Sequence, residues 1–253
     1  MSTTVVKLVI GATGAVGRAT SRRLAGSGDT IVLAGRDPAA TTALADELGG
    51  TQAGVHARSV DARDLAAVAA LIDGVVADHG RLDGVANLAG SLLLKPAHLT
   101  TGDEWADTIA TNLTSAFAVV RAAAPAMRRA GGSIVLVSSA AAQTGIANHE
   151  AIAAAKAGVI GLARSAAATY GARGVRVNVV APGLVASNMT EKLVANPAQA
   201  EASRAMHVLG RLGEPDDVAA AVSWLLDPGN DWITGQVLGV DGGLGQVRTR
   251  PKG

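Results

Sequence analysis

The first twenty-five residues place the strongest constraint on the fold. Val5-Val6-Lys7-Leu8-Val9-Ile10 is a short apolar run rich in β-branched residues and bounded at once by Gly11, the pattern of a buried strand. Gly11-Ala12-Thr13-Gly14-Ala15-Val16-Gly17 follows, and Arg18 to Ala25 then shows helical spacing. A strand, a glycine turn and a helix in that order make a dinucleotide-binding βα unit. The first glycine forms the tight turn, the middle one admits the pyrophosphate close to the backbone, and the last lets helix and strand pack. Unpaired N–H groups at the helix N-terminus then face the phosphates. A glycine triplet by itself also suits an ordinary tight turn; its position between strand and helix is what favours the dinucleotide.

Thr30 to Gly35 reads as the second strand, with Arg36 just past its end. An acid at that strand end would accept from the ribose 2′-OH and repel a 2′-phosphate. Glycine followed by a cation favours NADP(H) over NAD(H), against the alternative of a solvated Arg36 partnered by Asp37. Pro38 to Leu48 is expected as a helix opened by Asp37-Pro38 and closed by Gly49-Gly50. A third strand near Gly54 to Val60 ends at Asp61, placed either to accept from an adenine amino group or to cap a helix beginning at Ala62. Leu65 to Asp78 is an amphipathic helix and Leu82 to Leu88 a fourth strand. Gly102 to Arg129 is read as one long helix with Asn112 inside it, where asparagine needs either a surface position or a buried hydrogen bond.

Ser133 to Ser139 and Val175 to Val180 are central strands, the second stopped by Ala181-Pro182-Gly183. Thr190 to His207 reads as a helical lid broken at Asn196-Pro197. Pro215 to Leu226 is a helix, Gly235 to Val240 a last strand, and the basic tail through Gly253 is expected to be mobile. This alternation predicts an α/β fold, a doubly wound parallel sheet covered on both faces, with ligand at the carboxyl ends of the strands. With no repeat or linker, residues 1–253 are expected to form a single domain.

A net charge of +1 gives no basic face for nucleic acid or an anionic membrane. The absence of cysteine excludes disulfides, thiolate nucleophiles and Cys-ligated metals, and no metal is expected. Asp73, Arg121 and Lys156 interrupt the best apolar runs before the ~18 residues a bilayer span requires. The N-terminus lacks the pattern of a signal peptide, so a soluble cytoplasmic protein is expected.

Taken in order, several segments resemble the short-chain dehydrogenase/reductase family over nearly the whole chain: Gly11 to Gly17, Asp61, Asn87-Leu-Ala-Gly90, Asn112-Leu, Ser138-Ser139, Lys156-Ala-Gly, Asn178 to Gly183, Arg211 to Asp217, Ile233-Thr-Gly-Gln and Val240-Asp-Gly-Gly243. The resemblance implies a seven-stranded Rossmann sheet, a homotetramer or homodimer, and nicotinamide-dependent interconversion of a small-molecule carbonyl and alcohol. It implies that Gly11, Thr13, Val16 and Gly17 hold the phosphates, Arg36 the 2′-phosphate, and Asp61 with the backbone of Ala62 the adenine. Asn87, Ala89 and Gly90 would line the adenosine ribose side. Pro182, Gly183, Val185 and Ser187 would flank the nicotinamide. The middle glycine falls at Gly14, one residue earlier than in the common short members.

A second departure concerns chemistry. In the family a tyrosine four residues before the lysine protonates the developing alkoxide; here that position is Ile152. Asn112, Ser139 and Lys156 match the other three members of the family's site, where serine polarises the carbonyl, lysine holds the ribose and asparagine fixes a relay water. Tyr170, the only tyrosine, lies four helical turns beyond. His149, Ile152 and Lys156 share one helical stripe, which makes His149 the candidate stand-in, about one turn away and acting through a shifted substrate or a water. The competing reading puts His149 merely in the helix's first turn, beside Asn148 as N-cap. Three functions remain open: an altered oxidoreductase, a catalytically impaired dinucleotide-binding sensor or partner subunit, and a dehydration or isomerisation needing no phenol. Leu92, Leu93 and Leu94 suggest an apolar pocket wall.

Overall fold

Strand β1 (Val6–Ile10) is buried along its whole length and pairs in parallel on both sides, with β2 (Thr30–Gly35) and β4 (Gly84–Asn87). That double coverage explains why its sequence is a continuous apolar run rather than an alternating one. The computed structural model of the chain describes residues 4–248; the last five residues of the basic tail lie outside them. Strands β3 (Val55–Ser59), β5 (Gly132–Val137), β6 (Val175–Pro182) and β7 (Val237–Val240) complete a parallel sheet of seven strands in the order β3-β2-β1-β4-β5-β6-β7. The order reverses between β1 and β4, and a crevice opens there at the carboxyl edge.

Helices cover both faces. Leu8 and Ile10 point to one side, where they join Val85, Ile134, Leu136 and Val177 under α3 (Leu65–His79), α5 (Ser115–Met127) and α6 (Glu150–Tyr170). Val9, Ile31, Leu33 and Val135 point to the other, under α1 (Ala15–Ala25), α2 (Pro38–Glu47) and α9 (Pro215–Leu226). The two-residue alternation of a strand divides the core into these layers. Helix α6 and the turn after it, Glu150–Arg173, have the length and apolarity of a membrane span. The helix packs instead on β6 and α5 as part of the core.

Several expected boundaries move for identifiable reasons. The long helix expected over Gly102–Arg129 is α4 (Gly102–Ile109) and α5 joined by a π-helical stretch, Ala110–Thr114, with Asn112 at its centre. Such a widened turn re-aims one side chain and is common at functional positions. Strand β6 is not stopped at Val180: it continues through Pro182, which still pairs with Val240, because the proline's missing N–H falls at the strand's last position. Helix α3 starts at Leu65 because Asp64, not Asp61, caps it, its carboxylate accepting from the Ala66 and Ala67 N–H groups at 2.8 and 3.0 Å. The lid is two pieces, α7 (Glu191–Val194) and α8 (Pro197–Met206), with Asn196 capping the second.

Candidate functional site

The glycine turn leaves no room for side chains. A Cβ on Gly17 would stand 2.1 Å from the Gly11 carbonyl oxygen, and one on Gly11, whose φ is +81°, would stand 2.7 Å from the Ala89 nitrogen. Gly11 therefore locks the turn against the end of β4, and Gly17 locks α1 against the turn. Gly14 caps α1 without a side-chain bond, and no acid lies in the first helical turn. The helix N-terminus is left with open N–H donors and its positive dipole end, which suits a dinucleotide phosphate.

From this cradle a cleft of about 500 Å³ runs along the carboxyl edge of the sheet to the lid. Thr13, Val16 and Gly17 line one end; Ala89, Gly90, Asn112, Ser139, His149, Ile152 and Lys156 line its middle. Pro182, Gly183, Val185 and Ser187 also face it. Gly11 and Asn87 do not. Gly11 is spent on the turn, and the buried Asn87 amide is a brace, donating to Ser115 Oγ at 3.1 Å while its oxygen accepts from the Ala89 N–H at 3.3 Å. Asn87 thus holds the β4 corner in shape rather than presenting itself to a ribose.

Arg36, Asp61 and Ala62 lie outside this cleft, beyond the ends of β2 and β3. One oxygen of Asp37 caps α2, accepting from the Ala40 N–H at 3.0 Å, and among the described residues no ion pair joins Asp37 to Arg36. A Cβ on Gly35 would approach Thr41 Oγ1 at 2.9 Å, so a longer acid cannot take its place without movement. Asp61 is gripped by Arg63, whose Nη2 donates to Oδ2 at 2.7 Å and whose Nε donates to Oδ1 at 3.0 Å. This side-chain bond draws the Asp61 carboxyl down to about 2. Ala62 is buried.

Lys156 is buried in α6, and its ammonium donates to the Val137 carbonyl at 2.9 Å. Burial alone brings its pKa down from 10.5 to about 8, because the charged form loses hydration. The Ser138 hydroxyl ties the same turn of helix down, donating to the Lys156 carbonyl at 2.8 Å. Ser139 Oγ accepts from the Ala141 N–H at 3.2 Å, which leaves its own hydrogen for the cleft. Asn112 and Lys156 flank Gly90: a Cβ there would meet Asn112 Oδ1 at 3.2 Å and Lys156 Nζ at 3.7 Å.

Ile152 is buried and lines the cleft between His149 and Lys156. His149 itself, not Asn148, is the N-cap residue of α6, and it caps with no side-chain bond. Asn148 holds a left-handed conformation, φ 63°, and its carbonyl accepts from the Lys95 N–H at 2.8 Å. The His149 Nδ1 lies 2.8 Å from the Ala147 carbonyl. A carbonyl only accepts, so Nδ1 carries the hydrogen, and Nε2 is the ring nitrogen left for proton exchange. Tyr170 ends α6, away from the cleft, and packs against the core.

Two residues at the site were given no individual role from the sequence. Ser91 clamps Asn112 twice: its N–H donates to Oδ1 at 3.2 Å, and its Oγ accepts from Nδ2 at 3.0 Å. The other hydrogen of that amide goes to the Thr108 carbonyl at 3.0 Å, so Asn112 has no donor left for a water. His207 is buried at the end of the lid, with Nδ1 donating to the Ser203 carbonyl at 2.6 Å and Nε2 accepting from the Leu184 N–H at 3.1 Å. It pins α8 to the corner after β6. Ser91 was findable as the residue next to Gly90; His207 required the lid's path in space.

A family model described as enoyl-(acyl carrier protein) reductase matches residues 11–245. D-threitol dehydrogenase of Mycolicibacterium smegmatis is 35% identical over 239 residues, covering 94% of this chain and 92% of that one. The inactive 2-(S)-hydroxypropyl-CoM dehydrogenase 2 of Xanthobacter autotrophicus is 39% identical over 223 residues, 86% of this chain and 96% of that one. The structure of a short-chain type dehydrogenase/reductase from Mycobacterium ulcerans superposes with a TM-score of 0.92 at 30% identity, covering 98% of this chain and 92% of that one.

Proposed function

The chain belongs to the short-chain dehydrogenase/reductase family, and on that premise we propose that it is an NADP(H)-dependent oxidoreductase that interconverts a carbonyl and an alcohol without a tyrosine acid. The observation that carries this reading is the convergence of Lys156, Ser139 and His149 on the cleft that begins at the glycine cradle. Thr13, Val16 and Gly17 hold the phosphates from the N-terminus of α1. Arg36 takes the 2′-phosphate; the reading is supported by the missing acid at Gly35 and by the lack of an Arg36–Asp37 ion pair among the described residues. Asp61 and Ala62 border the adenine, Ala89 and Gly90 the ribose, and Pro182, Gly183, Val185 and Ser187 the nicotinamide.

A nicotinamide held by these residues would supply or accept the hydride. The Ser139 hydroxyl donates to the substrate oxygen, and the Lys156 ammonium, poorly hydrated and hence strongly felt, stabilises negative charge developing on it. In alcohol oxidation His149 Nε2 takes the hydroxyl proton, and in reduction the protonated ring returns it. Asn112 holds Ser91 and the loop after Gly90 rather than a relay water.

The experiment is loss of NADPH absorbance with a panel of ketones and aldehydes, run on wild type, His149→Ala and Tyr170→Phe. Turnover that His149→Ala lowers about 10²-fold or more, with Tyr170→Phe unchanged, is the expected result. Cofactor binding with no turnover on any carbonyl would overturn it and leave a binding protein in its place. The active form is proposed to be a cytoplasmic homotetramer, or a homodimer, in which the apolar edge around Leu238 and Trp224 is covered; both are exposed in the single chain.

A further inference from the structure

The half of the cleft away from the glycine cradle has a composition that the catalytic groups do not account for. Leu92 and Leu94 reach it from the loop after β4, Ile146 from the loop after β5, and Met189, Leu193 and Met206 from the lid. Three segments distant in sequence thus present apolar side chains to one space. Met189 and Met206 are 55% and 46% exposed, an arrangement that leaves apolar surface facing water unless something covers it.

Several of the polar groups on and beside the lid are engaged with one another. Thr190 Oγ1 donates to the Val185 carbonyl at 2.6 Å and accepts from the Ser187 N–H at 3.0 Å, and the Ser187 hydroxyl lies 3.3 Å from it. Arg204 faces Glu201 at 3.0 Å, and Lys95 faces Glu104 at 2.8 Å. Among the described residues, the one lysine or arginine lining the cleft is Lys156. Free polar capacity at the inner end therefore lies with Ser139, His149 and Lys156; Asn188 and Ser203 add polar side chains at the lid, and the rest of the outer wall is apolar.

Resting on the oxidoreductase reading above, the geometry points to an uncharged substrate with one carbonyl or hydroxyl at the inner end and an apolar body lying under Met189, Leu193 and Met206. A polyol would leave most of its hydroxyls unpaired against that wall, and a carboxylate would lose hydration without a cationic partner there. This separates the chain from its relative named for D-threitol. The thioether side chains adapt to shapes of different width, so the chamber selects for apolarity more than for outline.

Calorimetric titration of butan-2-one, octan-2-one, erythrulose and levulinate tests this, on the protein saturated with NADP⁺, where no hydride is available and binding alone is read. The same titrations on the protein without nucleotide keep the readout if NADP⁺ fails to bind, a failure that would count against the proposed function and not against the chamber. Octan-2-one is expected to bind about 10²-fold more tightly than butan-2-one, from its four extra methylenes, with erythrulose and levulinate weaker than butan-2-one. Met189→Ser and Met206→Ser should each weaken octan-2-one about tenfold while leaving butan-2-one within about twofold. Erythrulose or levulinate binding more tightly than butan-2-one, octan-2-one gaining nothing over it, or both serine variants leaving octan-2-one unaffected would overturn the inference.

Discussion

Replacing Lys156 with methionine should make the protein more stable while removing its activity. The ammonium is buried with the Val137 carbonyl as its partner at 2.9 Å, and burial brings its pKa from 10.5 to about 8. That difference corresponds to a penalty of about 3 kcal/mol for keeping the charged form folded at pH 7. Methionine matches the length of the chain without the charge and gives up one hydrogen bond, about 1 kcal/mol. The net expectation is about 2 kcal/mol of added stability at pH 7. The pH dependence fixes the cause. Between about 8 and 10.5 the unfolded chain holds the lysine proton and the folded protein releases it, so wild-type stability rises with pH across that window. The advantage of Lys156→Met should therefore be full below pH 8 and gone by about pH 10.5. Urea unfolding of both proteins without cofactor at pH 7 and pH 10 measures it. A variant less stable than wild type at pH 7, or a gap that does not change with pH, would refute the argument from desolvation.

Ile152→Tyr should raise carbonyl reduction by ~10²-fold or more with NADPH affinity unchanged, read by steady-state kinetics beside calorimetry; no gain would mean that the position is not the proton-donor position. Arg36→Glu should weaken NADPH at least about tenfold and leave NADH nearly unaffected, since in the proposed arrangement only the 2′-phosphate would meet that side chain. Gly17→Val should abolish binding of either nucleotide, because even a Cβ would stand 2.1 Å from the Gly11 carbonyl oxygen; unchanged affinity would contradict the packing of α1 on the turn.

The elements most legible in the sequence were those whose signals are local. Helix α9 could be read to the residue because Pro215 stands at its first position and Asp217 Oδ2 accepts from the Glu214 N–H at 2.8 Å. The parallel sheet followed from unbroken apolar strands separated by helices. The π-helical stretch at Asn112 was not legible: one extra residue in a turn leaves no compositional mark, and the residue that clamps Asn112 there, Ser91, lies 21 residues away. Residues 87 and 115 likewise meet only once β4 and α5 have packed.

At the site, the helical stripe of His149, Ile152 and Lys156 was readable from spacing alone, and all three line one cleft. What spacing did not give was how each polar group is occupied. Asp61 had two plausible readings, capping and adenine; the cap is Asp64, and Arg63 grips the Asp61 carboxylate. Asn148 looked like an N-cap by residue type, yet it adopts the left-handed conformation that asparagine tolerates, and the cap passes to His149. Residue types mark where chemistry is available, and hydrogen-bond valence decides what remains free to act.

The central claim is that the glycine cradle and Arg36 hold NADP(H) along the carboxyl edge of the sheet. Parallel calorimetric titrations of NADPH and NADH against the wild-type protein test it most directly. The account predicts saturable 1:1 binding of NADPH, at least about tenfold tighter than NADH. Tighter binding of NADH, or no association with either nucleotide, would contradict it.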